Sequence, residues 1–214
     1  MARYLTEFIG TFFLVLTIGL TVLGGSPMAP LAIGSVLMVM VYMGGHVSGA
    51  HYNPAISFAL LLRGKLANGD FVPYVMAQVA GAFVAALVVK LLLGRTFAPA
   101  PGDGIGTLSA LVVEVLFTFA LGLVVLNSAA SEQTRGNSFY GLAIGFTITA
   151  AAFAGGPVSG GAFNPAVGIG PTLVHGLFGG GTWSHLWLYL VGPFVGGALA
   201  AMVFGMQEGE RNEK

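Results

Sequence analysis

Apolar residues run along this chain in long blocks, without the strict alternation of a half-buried strand. Six blocks approach the roughly 20 mostly apolar residues that a membrane-spanning helix needs. They are Tyr4–Gly24, Ala29–Gly45, Phe71–Leu93, Thr107–Asn127, Phe139–Gly155 and Ser184–Met206. Turn and cap signals separate them: Gly24-Gly25-Ser26-Pro27, the Pro99–Gly104 stretch and Ser128–Asn137 with its mixed charges. Two further apolar blocks, Pro54–Leu62 and Pro165–Val174, are too short to span. About ten residues make about 15 Å of helix, half the thickness of a bilayer core. The pattern predicts an all-α membrane protein of six transmembrane helices plus two half-helices.

Charge strengthens this reading. Only 7% of the 214 residues are charged, against about 25% in a soluble globular chain. The 55 residues between Glu7 and Arg63 carry no acidic or basic side chain, nor do the 72 between Arg135 and Glu208. Segments like these suit a lipid-facing surface and not a hydrated one. Net charge is formally zero with no basic block, so nucleic acid is not an expected partner. Cysteine is absent, which removes disulfides and thiolate sites together. No histidine or carboxylate cluster has metal-ligand spacing, and no cofactor is expected. The run from Phe8 to Gly25 is longer than a usual signal core and lacks a small-x-small cleavage site, so it reads as a retained span.

Orientation follows from the basic residues. With six spans both termini share a side, and that side receives Arg3, Arg63, Lys65, Arg135, Arg211 and Lys214, while the other receives Lys90 and Arg95. The termini are therefore expected in the cytoplasm, with the chain in the cell (plasma or inner) membrane. Trp183 and Trp187, at the start of the last predicted span, suit an interfacial anchor equally with ordinary packing.

The two short blocks are introduced by the same words. Val47-Ser48-Gly49 leads through Ala50, His51 and Tyr52 to Asn53-Pro54-Ala55; Val158-Ser159-Gly160 leads through Gly161, Ala162 and Phe163 to Asn164-Pro165-Ala166. Upstream, Glu7-x-x-x-Thr11 matches Glu114-x-x-x-Thr118, and each glutamate precedes its asparagine by a similar interval, 46 and 50 residues. The chain thus divides into repeats, residues 1–94 and 107–206, within a single transmembrane channel domain, 1–214. Each repeat holds three spans, an odd number, so the second must insert upside down relative to the first. Inverted halves with broken helices at mid-membrane are a recurrent way to build a transport path.

Asn-Pro-Ala is a helix start. Proline at the first helical position sacrifices no bonded N–H, and asparagine before it accepts from the following backbone donors. The NH2 of that asparagine then points ahead of the helix, where the macrodipole places about half a positive charge. Two such ends facing each other put two amide donors and two positive poles at the membrane centre.

Over roughly Leu5 to Phe204 the sequence resembles the aquaporin family, also called the major intrinsic proteins. The likeness is carried by Glu7, Ser48-Gly49-Ala50-His51, Asn53-Pro54-Ala55, Glu114, Gly141, Asn164-Pro165-Ala166 and Gly170-Pro171. It implies six tilted helices and two half-helices around one pore per subunit, usually in homotetramers. It also implies that Asn53 and Asn164 donate to the oxygen of a passing molecule. Carbonyls of Gly49, Ala50 and His51 on one side, and of Gly160, Gly161 and Ala162 on the other, would form ladders of acceptors. Glu7 and Glu114 would brace the two loops from behind.

The sequence departs from the family at the constriction. The residue after the second Asn-Pro-Ala is usually arginine and here is Val167, and the other three constriction positions fall on Ile33, Ala152 and Gly161. Water-selective members usually carry an aromatic and a histidine where Ile33 and Ala152 stand; glycerol-conducting members usually carry Arg-Asp where this chain has Val167-Gly168. The ring should be wider and more apolar than a strict water filter. It lacks a fixed cation, which at 4 Å opposes a passing ion by ~4 kcal/mol at an effective dielectric of 20. The expected permeants are water and small neutral solutes such as glycerol, urea or ammonia. Phe153, Phe163 and Arg95 are the side chains available to refill the gap. His51 is placed to contribute in the loop, His46 lies near one mouth, and His175 and His185 read as solvated structural residues.

Other classes fit less well. Asp70 and Asp103, the only aspartates, lie in predicted loops, and no phosphate-binding glycine loop follows a strand, so an enzyme is not expected. A coupled transporter needs a titratable group in its path; Glu7 and Glu114 alone qualify. A scaffold would leave the twin asparagine caps without a purpose.

Overall fold

A computed structural model describes residues 1–212 as eight α-helices. They are α1 (Ala2–Leu23), α2 (Ala29–Ser48), α3 (Pro54–Leu62), α4 (Asn68–Leu93), α5 (Thr107–Val125), α6 (Tyr140–Ser159), α7 (Pro165–Phe178) and α8 (Leu188–Asn212). Six of them, α1, α2, α4, α5 with its extension, α6 and α8, are long and apolar enough to cross a membrane. No strand occurs among the described residues. Large apolar side chains stand exposed along the spans, with Leu91 82%, Leu108 72% and Met76 67% accessible. An exposed apolar surface of this extent belongs against lipid or another subunit. The protein is an integral membrane protein. Lys214 and the side chain of Arg211 lie outside the described residues, so the charge count made from them has no structural counterpart.

Hydroxyl groups inside the spans are satisfied locally. Thr11 Oγ1 donates to the Glu7 carbonyl at 2.8 Å, Thr147 Oγ1 to Ala143 at 2.8 Å and Ser128 Oγ to Val124 at 2.6 Å. Such bonds to the carbonyl four residues back let polar residues sit in an apolar environment. Beyond Val125 the α5 helix loosens into a π turn, Leu126–Ala130, where Asn127 Nδ2 donates to the Leu123 carbonyl and to Gln207 Oε1, each at 3.0 Å.

Glycines let the spans approach closely. A Cβ on Gly81 would strike the Phe8 carbonyl, and one on Gly196 would strike the Val115 carbonyl, so α4 lies directly on α1 and α8 directly on α5. At the crossing of α2 and α6, Gly34 and Gly145 each abut the other's carbonyl. The short helices cross over: α7 packs on α4, and α3 packs on α8.

Several boundaries differ from the sequence expectation. Helices α2 and α6 run on to Ser48 and Ser159, where glycine stops them, and α4 starts at Asn68, which puts Asp70 in its first turn and not in a loop. Helix α7 continues from Val174 to Phe178 and stops where Gly179 N–H returns to the His175 carbonyl and Gly180 turns with φ +70°. Nothing at Val174 interrupts the ladder, whereas α3 stops at Gly64, φ +65°, with Lys65 N–H on the Leu60 carbonyl. Helix α8 starts at Leu188 and not at Ser184. Residues Ser184–Trp187 form tight turns, with Leu186 N–H on the Trp183 carbonyl and Leu188 N–H on the His185 carbonyl.

Candidate functional site

Each short helix begins with the cap that its sequence prescribes. Asn53, with extended φ −156°, accepts from Ala55 N–H at 2.9 Å, and Asn164, φ −161°, accepts from Ala166 N–H at 2.9 Å; Pro54 and Pro165 open the first turns. The amide groups then reach across to the opposite loop. Asn53 Nδ2 donates to the Phe163 carbonyl at 2.8 Å, and Asn164 Nδ2 donates to the Tyr52 carbonyl at 2.8 Å. The starts of α3 and α7 are thereby tied together side by side, positive pole to positive pole. Each NH2 spends one hydrogen in this tie and keeps one.

The loops leading to these caps carry uncommon backbone. Glycine stops the preceding span in the left-handed region, Gly49 at φ +85° and Gly160 at φ +88°. Among the described residues, three non-glycine residues adopt positive φ, namely Ala50, Tyr52 and Phe163, and all lie here. Such conformations persist only where the surroundings over-determine them. Two buried carboxylates supply the determination. Glu7 Oε1 accepts from Ser48 Oγ at 2.7 Å and His51 N–H at 2.9 Å, while Oε2 accepts from Tyr52 N–H at 2.7 Å and Gln78 Nε2 at 2.8 Å. Glu114 accepts from Ser159 Oγ at 2.7 Å, Ala162 N–H at 3.0 Å and Phe163 N–H at 2.7 Å. Both glutamates are fully buried. Left unmet, such donors and acceptors would each cost about 1–3 kcal/mol.

A single cavity of about 380 Å³ is lined by both asparagines. Its lining extends from Val22, Ala29 and Pro30, near the α1–α2 connection, to Val125 and Ile144, near the connection between α5 and α6. Ile33, Ala152, Gly161 and Val167 all line it, as do Asn53 and Asn164. Of the six loop residues singled out, Ala50, His51, Gly160, Gly161 and Ala162 line it; Gly49 does not. Pro54, Ala55, Pro165 and Ala166 are buried in the helix starts behind it. Neither Glu7 nor Glu114 reaches its lining. His51 is buried beside it, with Nδ1 3.0 Å from Ser57 Oγ.

None of the three side chains considered as replacements closes the space beside Val167. Phe153 is 50% exposed and outside the lining. Arg95 Nη1 donates to the Leu23 carbonyl at 3.0 Å and also stays outside. Phe163 borders the cavity, but its ring is buried against Phe117, centroids 5.5 Å apart.

Several supporting residues escaped the sequence reading. Tyr74 Oη donates to the Ser48 carbonyl at 2.7 Å, and Tyr189 Oη to the Ser159 carbonyl at 2.5 Å. Their signal was present, since Tyr74 and Tyr189 each stand seven residues before the packing glycines Gly81 and Gly196. Gln78, which also donates to Ser57 Oγ at 2.9 Å, and the lining residues Ala98, Pro99 and Ala100 carry no repeat signal.

A sequence model described as Major intrinsic protein matches residues 1–204. The chain belongs to the major intrinsic protein family. It is 38% identical over 214 residues to the glycerol uptake facilitator protein-like 6 of Lactiplantibacillus plantarum, covering 94% of this chain and 95% of that one. It is 37% identical over 212 residues to aquaporin NIP1-4 of Oryza sativa subsp. japonica, covering 94% and 75%. The X-ray structure of the aquaglyceroporin from Plasmodium falciparum matches with a TM-score of 0.84 over 95% of this chain and 94% of that one, at 24% identity, and so shares the major intrinsic protein fold.

Proposed function

We propose that this major intrinsic protein is a passive transmembrane channel for water and small neutral solutes, glycerol, urea and ammonia among them. The observation that carries the reading is the pair of asparagine amides, tied across two half-helix starts and bordering one cavity. Each keeps a hydrogen for the oxygen or nitrogen of a solute in transit. Carbonyls of Ala50, His51, Gly160, Gly161 and Ala162 receive its hydrogens on either side; irregular backbone at membrane depth is tolerated where it lines a wet path. Gly49, outside the lining, serves as the stop of α2. Glu7 and Glu114 hold the loops from behind. Because their acceptor oxygens are spent on these loops, away from the cavity, they offer no carriage of protons or ions, which weighs against a coupled transporter.

Ile33, Ala152, Gly161 and Val167 form the constriction. It has no fixed cation, so exclusion of cations and protons rests on the two helix starts and on the cost of stripping water from an ion. The relative named for glycerol uptake supports the larger solutes. The chain works as a single domain of two inverted repeats, 1–94 and 107–206, assembled as a homotetramer in the cell membrane. Its termini are cytoplasmic, the side that receives Arg3, Arg63, Lys65 and Arg135.

Stopped-flow light scattering on proteoliposomes tests this directly, with water, glycerol, urea and ammonia in parallel and with Val167→Arg beside the native protein. Native protein should conduct water and the larger solutes without regard to proton or sodium gradients, and Val167→Arg should keep water while shutting out glycerol. Native protein that passes water but refuses every solute would defeat the wide constriction. A flux that follows a proton or sodium gradient would defeat the channel.

A further inference from the structure

The two loops and their helix starts mirror each other, but the cavity between them is lopsided. The ties are reciprocal: Asn53 reaches the Phe163 carbonyl and Asn164 the Tyr52 carbonyl, and these residues are mates in the register that matches Ser48 with Ser159. Gly34 and Gly145, mates in the same register, abut each other's carbonyl. Helices α2 and α6 each run 20 residues and end on the matched serines. The four residues of the constriction therefore have mates across the asparagines. They are Ile144 for Ile33, Val41 for Ala152, Ala50 for Gly161 and Ile56 for Val167.

This second ring is the bulkier one. In every pair that differs, the second ring holds the larger side chain: Val over Ala, Ala over Gly, Ile over Val. Ala50, Ile56 and Ile144 line the cavity, and Val41 is buried outside the lining. The cavity also ends there. On the Val167 side its lining continues to Gly156, Gly160, Ala29 and Pro30, whereas their mates Gly45, Gly49, Tyr140 and Gly141 are all absent from it. Tyr140, its ring 5.2 Å from that of Tyr42, stands where the opposite end has only Ala29.

We infer that Ala50, Ile56 and Ile144 form a second constriction, tighter than the ring at Val167, and that it sets the largest solute admitted. The inference rests on the channel reading above and puts the size limit at the α5–α6 end of the cavity. A solute that clears Ile33, Ala152, Gly161 and Val167 meets a ring equally apolar and with more carbon in it. Pore diameter and an apolar lining decide such passage, and a misfit of one methylene in an apolar site is worth about tenfold or more. Volume at Ile56 and Ile144 therefore trades against solute size more steeply than volume at Ile33 or Val167.

Mirror-image substitutions test this, because Ile33 and Ile144 are the same residue at matched positions. Ile144→Ala and Ile33→Ala are reconstituted, and fluxes of water, glycerol and the longer polyol erythritol are recorded by stopped-flow light scattering. Ile144→Ala should raise the glycerol-to-water ratio about tenfold and speed erythritol, while Ile33→Ala should raise that ratio less than about twofold. The milder pair Ile144→Val and Ile33→Val should rank the same way, as should Ile56→Ala against Val167→Ala, so one variant that fails to fold leaves the comparison standing. Equal gains at the two rings, a larger gain at the Val167 ring, or no gain at either would overturn the second ring as the size limit. Native protein that conducts no water would instead overturn the channel reading.

Discussion

The loops ahead of α3 and α7 share one backbone but rest on different side-chain supports. Both stop a span at a glycine of φ near +85° to +88°, both spend a serine and two backbone N–H groups on a buried glutamate, and both end in a capped half-helix. The first loop adds a polar layer. Gln78 donates to Glu7 and to Ser57, and Ser57 in turn meets His51, so carboxylate, amide, hydroxyl and imidazole form one connected set. The second loop has Ala162 and Gly168 at the matching positions and closes by packing: Gly168 lies under Tyr189 and the Phe163 ring lies on Phe117. Even the matched aromatics differ, since Tyr52 Oη donates to the Met40 carbonyl at 2.9 Å whereas Phe163 has no hydroxyl. The same strained path is thus reached by hydrogen bonding on one side and by van der Waals contact on the other. The carboxylate and the cap are the parts that neither side dispenses with.

This contrast is open to direct attack. The largest effect is expected from Glu7→Ala, which strands four donors and detaches the Gln78 set, a loss on the order of 4–12 kcal/mol. Glu114→Ala strands three donors and should cost less, on the order of 3–9 kcal/mol. Thermal unfolding in detergent ranks the two, and an inverted ranking would break the claim that the first loop depends more on polar bonding. Next in size, Asn53→Ala and Asn164→Ala each remove a cap and a cross-loop bond, about 2 kcal/mol together. Their costs should agree, because this part of the site is shared; unequal unfolding midpoints would show that the two half-helices are not equivalent.

Gln78→Leu should cost about 1–3 kcal/mol by freeing Glu7 and Ser57 of a partner. Amide exchange after Gln78→Leu should quicken at the first loop and stay unchanged at the second. Protection lost at both loops after Gln78→Leu would mean that the layers are coupled across the cavity. Smallest of all, Tyr52→Phe makes the first loop's anchor resemble the second and should cost about 1 kcal/mol. No measurable shift in unfolding midpoint would remove the Met40 bond from the list of supports.

Much of the site was legible because its parts are local. Asn before Pro is a cap wherever it occurs, glycine after Val-Ser supplies the left-handed stop, and duplication of the whole phrase announces two equivalent starts. Six apolar blocks of spanning length likewise anticipated α1, α2, α4, α5, α6 and α8, with errors confined to their ends. Those errors have local causes as well, because no hydropathy change marks where α7 runs on to Phe178 or where turns replace helix before Leu188.

Residues without a pattern of their own could not be placed this way. Gln78 sits among apolar neighbours, and only the packing of α4 on α1 brings its amide to Glu7. Ala98, Pro99 and Ala100 look like any loop, and only hydrogen bonds from their neighbours to α1, α7 and the end of α6 carry them over the cavity. Sequence alone settled the spans, the two half-helix starts and the pairing of the halves, since each depends on backbone chemistry within a few residues. Tertiary structure alone decided what surrounds those starts, because a wall or a buried bond joins segments tens of residues apart, and its geometry follows from how whole helices pack.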